Sequence, residues 1–218
     1  MDRAVLNARY DGGMSPPTPG TLTAKGAATR ARIVEAAADR VLARGVGGTS
    51  LDDIRADTRT SKSQLFHYFP GGKHELVHAI VACQGERVLD AQRPELDRLD
   101  AWEGWDRWRD RVLAYYERAD GVQGCPIGSL ASEVAAVDPA LREQLQSYVA
   151  QWQGLLRAGV EAMRDGGLVR ADADADALAV SLLAAVEGGL ILSQLAGTLK
   201  PLEQALDGAL GQLRAAAA

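Results

Sequence analysis

The sequence has little cysteine, few aromatic residues and no long apolar run near its N-terminus. Two cysteines, Cys83 and Cys125, occur among 218 residues, too few for a disulfide framework. This scarcity favours a reduced, cytoplasmic setting. Without an N-terminal apolar run, we expect neither a signal peptide nor a membrane-spanning segment. Aromatic residues are 5% of the chain and runs of valine or isoleucine are few, whereas alanine, leucine, glutamate and arginine abound. The composition therefore favours an all-α fold.

Charge is distributed unevenly along the chain. The net charge of −5 by itself argues weakly against nucleic-acid binding. However, residues 21–75 contain nine basic and six acidic residues, whereas residues 76–218 contain 13 basic and 21 acidic residues. A mildly basic N-terminal part on an acidic body is typical of a DNA-binding module joined to a regulatory domain.

The most informative stretch is SLDDIRADTRTSKSQLFHYFPGGKHEL, residues 50–76. It predicts two short helices over 51–58 and 62–68, with Ser50 and Ser61 as their N-caps. Their apolar positions would share one small core, and polar side chains would crowd the outer face of the second helix. Such a face suits a helix that enters the DNA major groove.

This stretch resembles the helix-turn-helix of TetR-family repressors. The resemblance rests on SLDDI, SKSQLFHYF and KHEL, with ARIVEAAADRVLARGVGGT upstream, and covers roughly residues 27–80. The family usually has a glycine in the turn, where this chain has Thr58-Arg59-Thr60. Either Arg59 adopts the left-handed conformation itself or the turn differs locally. The stretch GCPIGSLASEV is most similar to a branch that includes LmrA- and YxaF-like, multidrug- and flavonoid-responsive repressors.

The resemblance implies a set of DNA contacts. We expect Gln64 to read a base edge, Lys62 and Lys73 to meet phosphates, and Thr49 and Ser61 to offer hydroxyl or helix-end amide groups to phosphate. The positions that match DNA-contacting positions of the family are Thr49, Ser61, Lys62, Ser63, Gln64, His67, Tyr68 and Lys73.

The remaining chain predicts three regions. Residues 1–24, with SPPTPG, predict a disordered tail, residues 25–72 the DNA-binding domain, and residues 73–218 a ligand-binding and dimerisation domain. Helical patterns predict a first helix over about 27–44 and a fourth from 73 to about 99, bent or broken at Pro94. Further helices are predicted near 101–120, 129–137, 139–165, 172–198 and 201–214.

Aromatic residues at helical spacing in the second domain have two interpretations. They are usually core, but in TetR-like proteins the middle helices enclose a ligand cavity, which tryptophan and tyrosine would suit to a flat apolar effector. The candidate ligand-binding residues are Trp105, Trp108, Tyr116, Cys125 and Trp152. Cys125 precedes a predicted helix, whose N-terminal amides would stabilise a thiolate. Alternatively, it is a small buried hydrophobe.

The last two long helices mix leucines with small residues. In TetR-like proteins these helices pair with their copies in a dimer, so we expect Leu190, Leu195 and Leu206 at or near that interface. Gly188 and Gly189 would let another helix approach closely. The alternative is core packing within one chain.

A competing motif is His74-Glu75-Leu76-Val77-His78, an H-E-x-x-H sequence of the kind found in zinc peptidases. The extended metzincin motif requires glycine at the position of Val81 and histidine at the position of Gln84, and this sequence has neither. Glu95 could be a third ligand, but nothing in the sequence marks it as one. We treat a zinc metallohydrolase as the alternative hypothesis. The main hypothesis includes no catalytic residue, metal or cofactor.

The resemblance implies a transcriptional regulator, and we expect a repressor. A homodimer would bind a palindromic operator, and a small apolar or aromatic effector would bind the second domain. Effector binding would tilt the fourth helix, change the spacing of the two recognition helices and release the DNA.

Overall fold

A computed structural model of the protein describes residues 22–118 and 121–218, and these residues are almost wholly helical. The predicted all-α class is confirmed. A two-residue antiparallel ladder joins β1 (Glu117–Arg118) to β2 (Gly121–Val122), and a short 3-10 turn covers Glu95–Asp97. The α-helices are α1 (Ala24–Arg44), α2 (Leu51–Thr58), α3 (Lys62–Tyr68), α4 (Gly72–Ala91), α5 (Trp102–Tyr116), α6 (Pro126–Val134), α7 (Pro139–Asp165), α8 (Ala175–Ala196) and α9 (Lys200–Ala215).

The predicted helix bounds are most accurate in the helix-turn-helix. Helices α2 and α3 have the predicted limits. In contrast, α4 ends at Ala91 rather than near residue 99. Helix α6 begins at Pro126, three residues before its predicted start, because proline is favoured at the first helical position. The predicted tail over residues 1–24, with Arg3 and Arg9, lies almost entirely outside the described residues.

The first four helices share one apolar core. Ile33 and Ala37 of α1, Leu65 of α3 and Phe69 after it are each at most 1% exposed, and α4 contributes Ile80 to the same core. Helix α4 therefore completes the packing of the DNA-binding domain and then continues into the second domain. Because α1 and α4 pack in this core, a displacement of α4 would act on α1.

Glycines allow two close helix contacts in the second domain. A Cβ at Gly85 of α4 would lie 2.5 Å from the Tyr148 ring of α7. A Cβ at Gly189 of α8 would lie 2.8 Å from the Cα of Leu202 in α9. The predicted close approach at Gly189 is thus made within the chain, whereas no atom lies within 4 Å of such a Cβ at Gly188.

Candidate nucleic-acid interface and regulatory sites

Two capping boxes build the helix-turn-helix. The Ser50 hydroxyl accepts from the Asp53 amide (3.1 Å), and the Asp53 carboxylate accepts from the Ser50 amide (3.0 Å). Ser61 and Gln64 repeat this reciprocal pair at the start of α3. Between the helices, Arg59 has φ 51°, the left-handed conformation expected if the turn is retained without glycine. These local bonds fix where α3 begins and how it leaves the turn.

Helix α3 presents a polar, donor-rich surface. Leu65 is buried beneath it and Tyr68 is half-buried. Phe66 is 40% exposed, so an apolar ring lies among the polar groups. The exposed predicted contacts are Ser61, Lys62, Ser63, Gln64 and His67. The structure thus brings five of the eight predicted DNA contacts onto one exposed helix.

Several predicted DNA contacts, among them Thr49, Lys73 and Gln64, have other partners in this structure. Thr49 is 2% exposed and its hydroxyl donates to the Gly45 carbonyl (2.9 Å), so the expected hydroxyl contact to phosphate is wrong for this conformation. The Lys73 ammonium donates to the Val46 carbonyl (2.7 Å). The side-chain oxygen of Gln64 accepts from the Ser61 amide (3.1 Å). A bidentate contact from Gln64 to adenine would therefore require opening of the second capping box.

The α1–α2 loop is held by a carboxylate from the second domain. Glu133 of α6 accepts from the Val46 amide at 2.7 Å and lies 3.4 Å from the Gly47 amide. A Cβ at Gly45 would lie 2.9 Å from the same carboxylate. Sequence reasoning missed this contact because Glu133 lies 87 residues from Val46, and no local pattern links them.

The predicted aromatic ligand set is fully buried, and two of its members have internal partners. Trp105 donates to the Met163 sulfur and Trp108 to the Gln92 side-chain oxygen, each at 2.8 Å. Their rings pack edge to face with centroids 5.9 Å apart. These two tryptophans are core residues in this conformation. In contrast, the indole nitrogen of Trp152 has no hydrogen-bond partner.

Tyr116, Cys125 and Glu187 form a buried polar group where α5, α6 and α8 meet. The Tyr116 hydroxyl is buried without a hydrogen bond of normal geometry, and burial raises its pKa well above the usual value. The pKa of the Cys125 thiol is raised chiefly by burial and, to a smaller extent, by the nearby Glu187 carboxylate. Burial therefore favours the protonated thiol at Cys125, as the alternative interpretation of a small buried residue expects. Burial also raises the pKa of Glu187. Sequence reasoning missed Glu187, which a charge amid SLLAAVEGGLIL could have signalled.

The predicted dimer-interface residues lie on two different sides of the last two helices. Leu190 and Leu206 are at most 1% exposed and pack inside the chain, so they present no surface to a partner, although they can still lie near an interface. Leu195 is 83% exposed. It belongs to an exposed line on α8 at spacings of three or four residues, which we call the α8 stripe: Val180, Ala184, Gly188, Ile191 and Leu195.

In the zinc-peptidase alternative, Glu95 cannot serve as the third ligand and the Glu75 carboxylate is already hydrogen-bonded. Thirteen helical residues separate His78 from the end of α4, a span of about 20 Å, so Glu95 lies far beyond the histidines. The Glu75 carboxylate accepts from the Gly71 amide (2.8 Å). Instead, Asp138 of α7 lies beside the two imidazoles, with its carboxylate 2.8 Å from His74 Nε2.

Two family models match the chain in the order of its domains. The model for bacterial regulatory proteins of the tetR family matches residues 33–80. The model for the tetracyclin repressor-like C-terminal domain matches residues 104–209. The first match contains the whole helix-turn-helix, and the second contains the buried polar group and the α8 stripe.

Curated relatives align along most of the chain. An HTH-type transcriptional regulator of Mycobacterium tuberculosis is 30% identical over 183 residues, covering 80% of this chain and 88% of the relative. The Bacillus subtilis regulator LmrA is 26% identical over 175 residues, covering 80% and 90%. Bacillus subtilis YxaF is 25% identical over 166 residues, covering 76% and 84%. The alternative hydrolase hypothesis gains no support from these relatives.

Solved structures show the same fold. A TetR transcriptional regulator from Chloroflexus aurantiacus superimposes with a TM-score of 0.79 at 29% identity, covering 89% of this chain and 98% of the other. Reduced NemR from Escherichia coli superimposes with a TM-score of 0.70 at 21% identity, covering 88% and 97%. With the helix-turn-helix, both domain matches and these relatives in agreement, the chain belongs to the TetR family of HTH-type transcriptional regulators.

Proposed function

We propose that the protein is a ligand-released repressor that binds a palindromic operator as a homodimer. The observation that carries this proposal is the exposed face of α3, where Lys62, Ser63 and His67 project from a helix fixed by two capping boxes. A rigid, donor-rich helix of this kind can enter the major groove while Lys62 neutralises phosphate. A protein that regulates transcription in this way would act on DNA in the cytoplasm.

DNA binding is tested with tag-free protein and the DNA upstream of its own gene. Sub-micromolar binding that weakens steeply as salt rises is expected, because phosphate contacts release counterions. Lys62→Ala is expected to weaken binding to all sequences, whereas Arg107→Ala removes one exposed charge on α5 and leaves affinity unchanged. Failure to bind this region, or equal loss in both variants, would contradict the assignment of α3.

The second copy of the chain would cover the α8 stripe. Helix α8 is long and apolar enough by composition to span a bilayer, with a mean hydropathy of 1.8 over its best window. Its inner side packs against α7 and α9 within the chain. Ile191 and Leu195 on its outer side are 59% and 83% exposed. Burial of such side chains against a second α8 stabilises association by about 25 cal/mol per Å² of apolar surface.

The effector site would include the buried polar group and Trp152. A buried donor without a partner costs about 1–3 kcal/mol; the Trp152 indole nitrogen lacks one, and the Tyr116 hydroxyl has only the weak Cys125 thiol beside it. A planar aromatic molecule with acceptor oxygens would satisfy these donors while its rings pack against the neighbouring aromatic side chains. Cys125 would then line the site as an apolar wall.

Effector binding is tested with a panel of planar aromatic compounds bearing hydroxyl or carbonyl groups. A compound that raises the melting temperature and releases DNA identifies the class. Tyr116→Phe, which removes only the hydroxyl, is expected to weaken its effect about tenfold. Trp108→Phe is the matched control, since Trp108 has its own partner in Gln92. Equal effects in both variants would move the site elsewhere.

Helix α6 connects this group to the DNA-binding domain. Cys125 caps the start of α6, and Glu133 near its end holds the α1–α2 loop. A shift of α6 on effector binding would therefore pull on Val46, whose carbonyl in turn binds Lys73 at the start of α4. These contacts would form a short route from the buried polar group to α4, which directly follows α3.

A further inference from the structure

Three metal-ligating side chains converge between α4 and α7. His74 and His78 occupy one face of the first turns of α4, and Asp138 caps α7 beside them. One ligand atom from each lies within 4.8 Å of the other two. The imidazole rings are 4.8 Å apart between centroids. In the described part of the chain, these three residues form the group of His, Cys, Asp or Glu side chains that lie close enough together to hold a metal ion.

Hydrogen bonds orient two of these ligands in advance. The Gln144 amide nitrogen donates to the His78 carbonyl (3.0 Å), so its oxygen is the atom facing His78 Nδ1 at 2.8 Å. An amide oxygen can only accept a hydrogen bond, so His78 Nδ1 is the nitrogen that carries the proton. In the neutral ring, Nε2 then has the free lone pair for a metal ion. Partners of this kind fix the tautomer of histidines that bind metals.

One carboxylate oxygen of Asp138 caps helix α7, and the other faces His74. Its Oδ1 accepts from the Ala140 and Leu141 amides, both at 3.0 Å. Its Oδ2 faces His74 Nε2 at 2.8 Å. Zinc ligated at about 2.0–2.1 Å in tetrahedral geometry needs ligand atoms about 3.3 Å apart. The 2.8 Å pair would have to widen slightly, and the ligand atoms that lie up to 4.8 Å apart would have to approach each other; the exposed His74 ring can turn to allow both changes.

We propose that His74, His78 and Asp138 form a site for a zinc-like divalent cation that fastens α4 to α7. The ion replaces the proton between His74 and Asp138, which leaves to solvent, and water completes the fourth position. Two imidazoles and one carboxylate favour Zn²⁺ over Mg²⁺ or Ca²⁺. The site is not hydrolytic, because the Glu75 carboxylate is bonded to Gly71.

The ion would act on DNA binding through α4, a consequence that rests on the proposed function. Helix α4 carries buried side chains of both domains, and the site joins its first turns to α7. A bound ion would hold α4 in one position relative to the second domain. By linkage, zinc would change operator affinity by the same factor by which operator changes zinc affinity.

Metal binding is measured on tag-free, chelator-treated protein by titration with Zn²⁺, and with Co²⁺ as a coloured probe of coordination. One ion per chain is expected. His78→Gln and Asp138→Asn are each expected to weaken zinc binding at least about 100-fold, and asparagine retains the cap of α7. Gln144→Ala, which frees the His78 ring, is expected to weaken binding about tenfold.

Two controls separate the site from nonspecific binding. His67→Gln removes the remaining histidine of the chain, and Glu75→Gln removes the hydrolase-like carboxylate. Both are expected to bind zinc as the wild type does. Absence of stoichiometric binding, or equal binding in Asp138→Asn and wild type, would overturn the site.

Regulation is then measured as operator affinity with and without zinc. At least a threefold change is expected in the wild type and none in His78→Gln. If zinc binds and operator affinity is unchanged, the coupling is overturned. If the protein binds zinc but no DNA, the proposed function fails while the metal site stands.

Discussion

The helix-turn-helix and the α8–α9 pair differ in what determines them. In the helix-turn-helix, each helix start is fixed by a serine and the residue three positions later. In the last helix pair, the side that a leucine faces depends on helices distant in sequence, as the close contact of Gly189 with Leu202 shows. Local hydrogen bonds thus determine where the helix-turn-helix places α3, whereas tertiary packing determines which side chains of α8 remain exposed.

The largest expected effect follows from breaking the α8 stripe. Ile191→Lys with Leu195→Lys places two charges where an apolar surface would be buried, which strongly opposes association. We expect light scattering to give the mass of one chain and operator affinity to fall at least about 100-fold, because two half-sites are no longer bound at once. A dimeric double variant would contradict this assignment.

Leu190→Ala is the control for the inner side of the same helix. Leu190 is 1% exposed, so the change leaves a cavity and is expected to lower the free energy of unfolding by about 2–5 kcal/mol. Chemical denaturation measures this loss. The mass in solution is expected to remain that of the wild type, which separates the two sides of α8.

A smaller effect is expected from Gly85→Ala at the α4–α7 contact. The added methyl group would overlap the Tyr148 ring, and overpacking of this kind costs about 1–3 kcal/mol. Gly154→Ala in α7 is the matched control, since no atom lies within 4 Å of its Cβ. Alanine there is expected to stabilise the helix by about 0.5–1 kcal/mol. Thermal unfolding of both variants decides whether the contact is as close as described.

Ser61→Ala tests the local determinant of α3. Loss of the N-cap is expected to cost about 1 kcal/mol and to free the Gln64 side chain from its bond to the Ser61 amide. Stability is measured by denaturation, and operator specificity by base substitution in each half-site. Unchanged stability would show that the second capping box contributes nothing to the fold.

The smallest expected effect is the pH dependence set by Glu187. Its pKa is raised above the ordinary value of 4.5 because burial disfavours the carboxylate. The folded state therefore binds the proton more tightly, and stability is lost as pH rises from about 4.5 through the raised pKa. Glu187→Gln is expected to be more stable than the wild type at neutral pH, with the difference disappearing below pH 4.5. Parallel stability curves for the two proteins would contradict this cause.

The sequence predicted the fold well where patterns are local. Capping residues Ser50 and Ser61 marked helix starts that the structure confirms. It did not show that Leu190 packs inside the chain, because an apolar residue in an apolar helix carries no information about which side of the helix faces the chain. It also missed Glu133 and Asp138 as partners of the DNA-binding domain, since those contacts span 64 or more residues.

The most direct test of the proposed repressor is the mass of its complex with operator DNA. Native mass spectrometry with a full palindrome is expected to show chains bound in pairs, with a single half-site bound at least about 100-fold more weakly. Disruption of the α8 stripe is expected to abolish this difference. One chain bound to one half-site with the affinity of the full palindrome would contradict a dimer that reads two sites through α3.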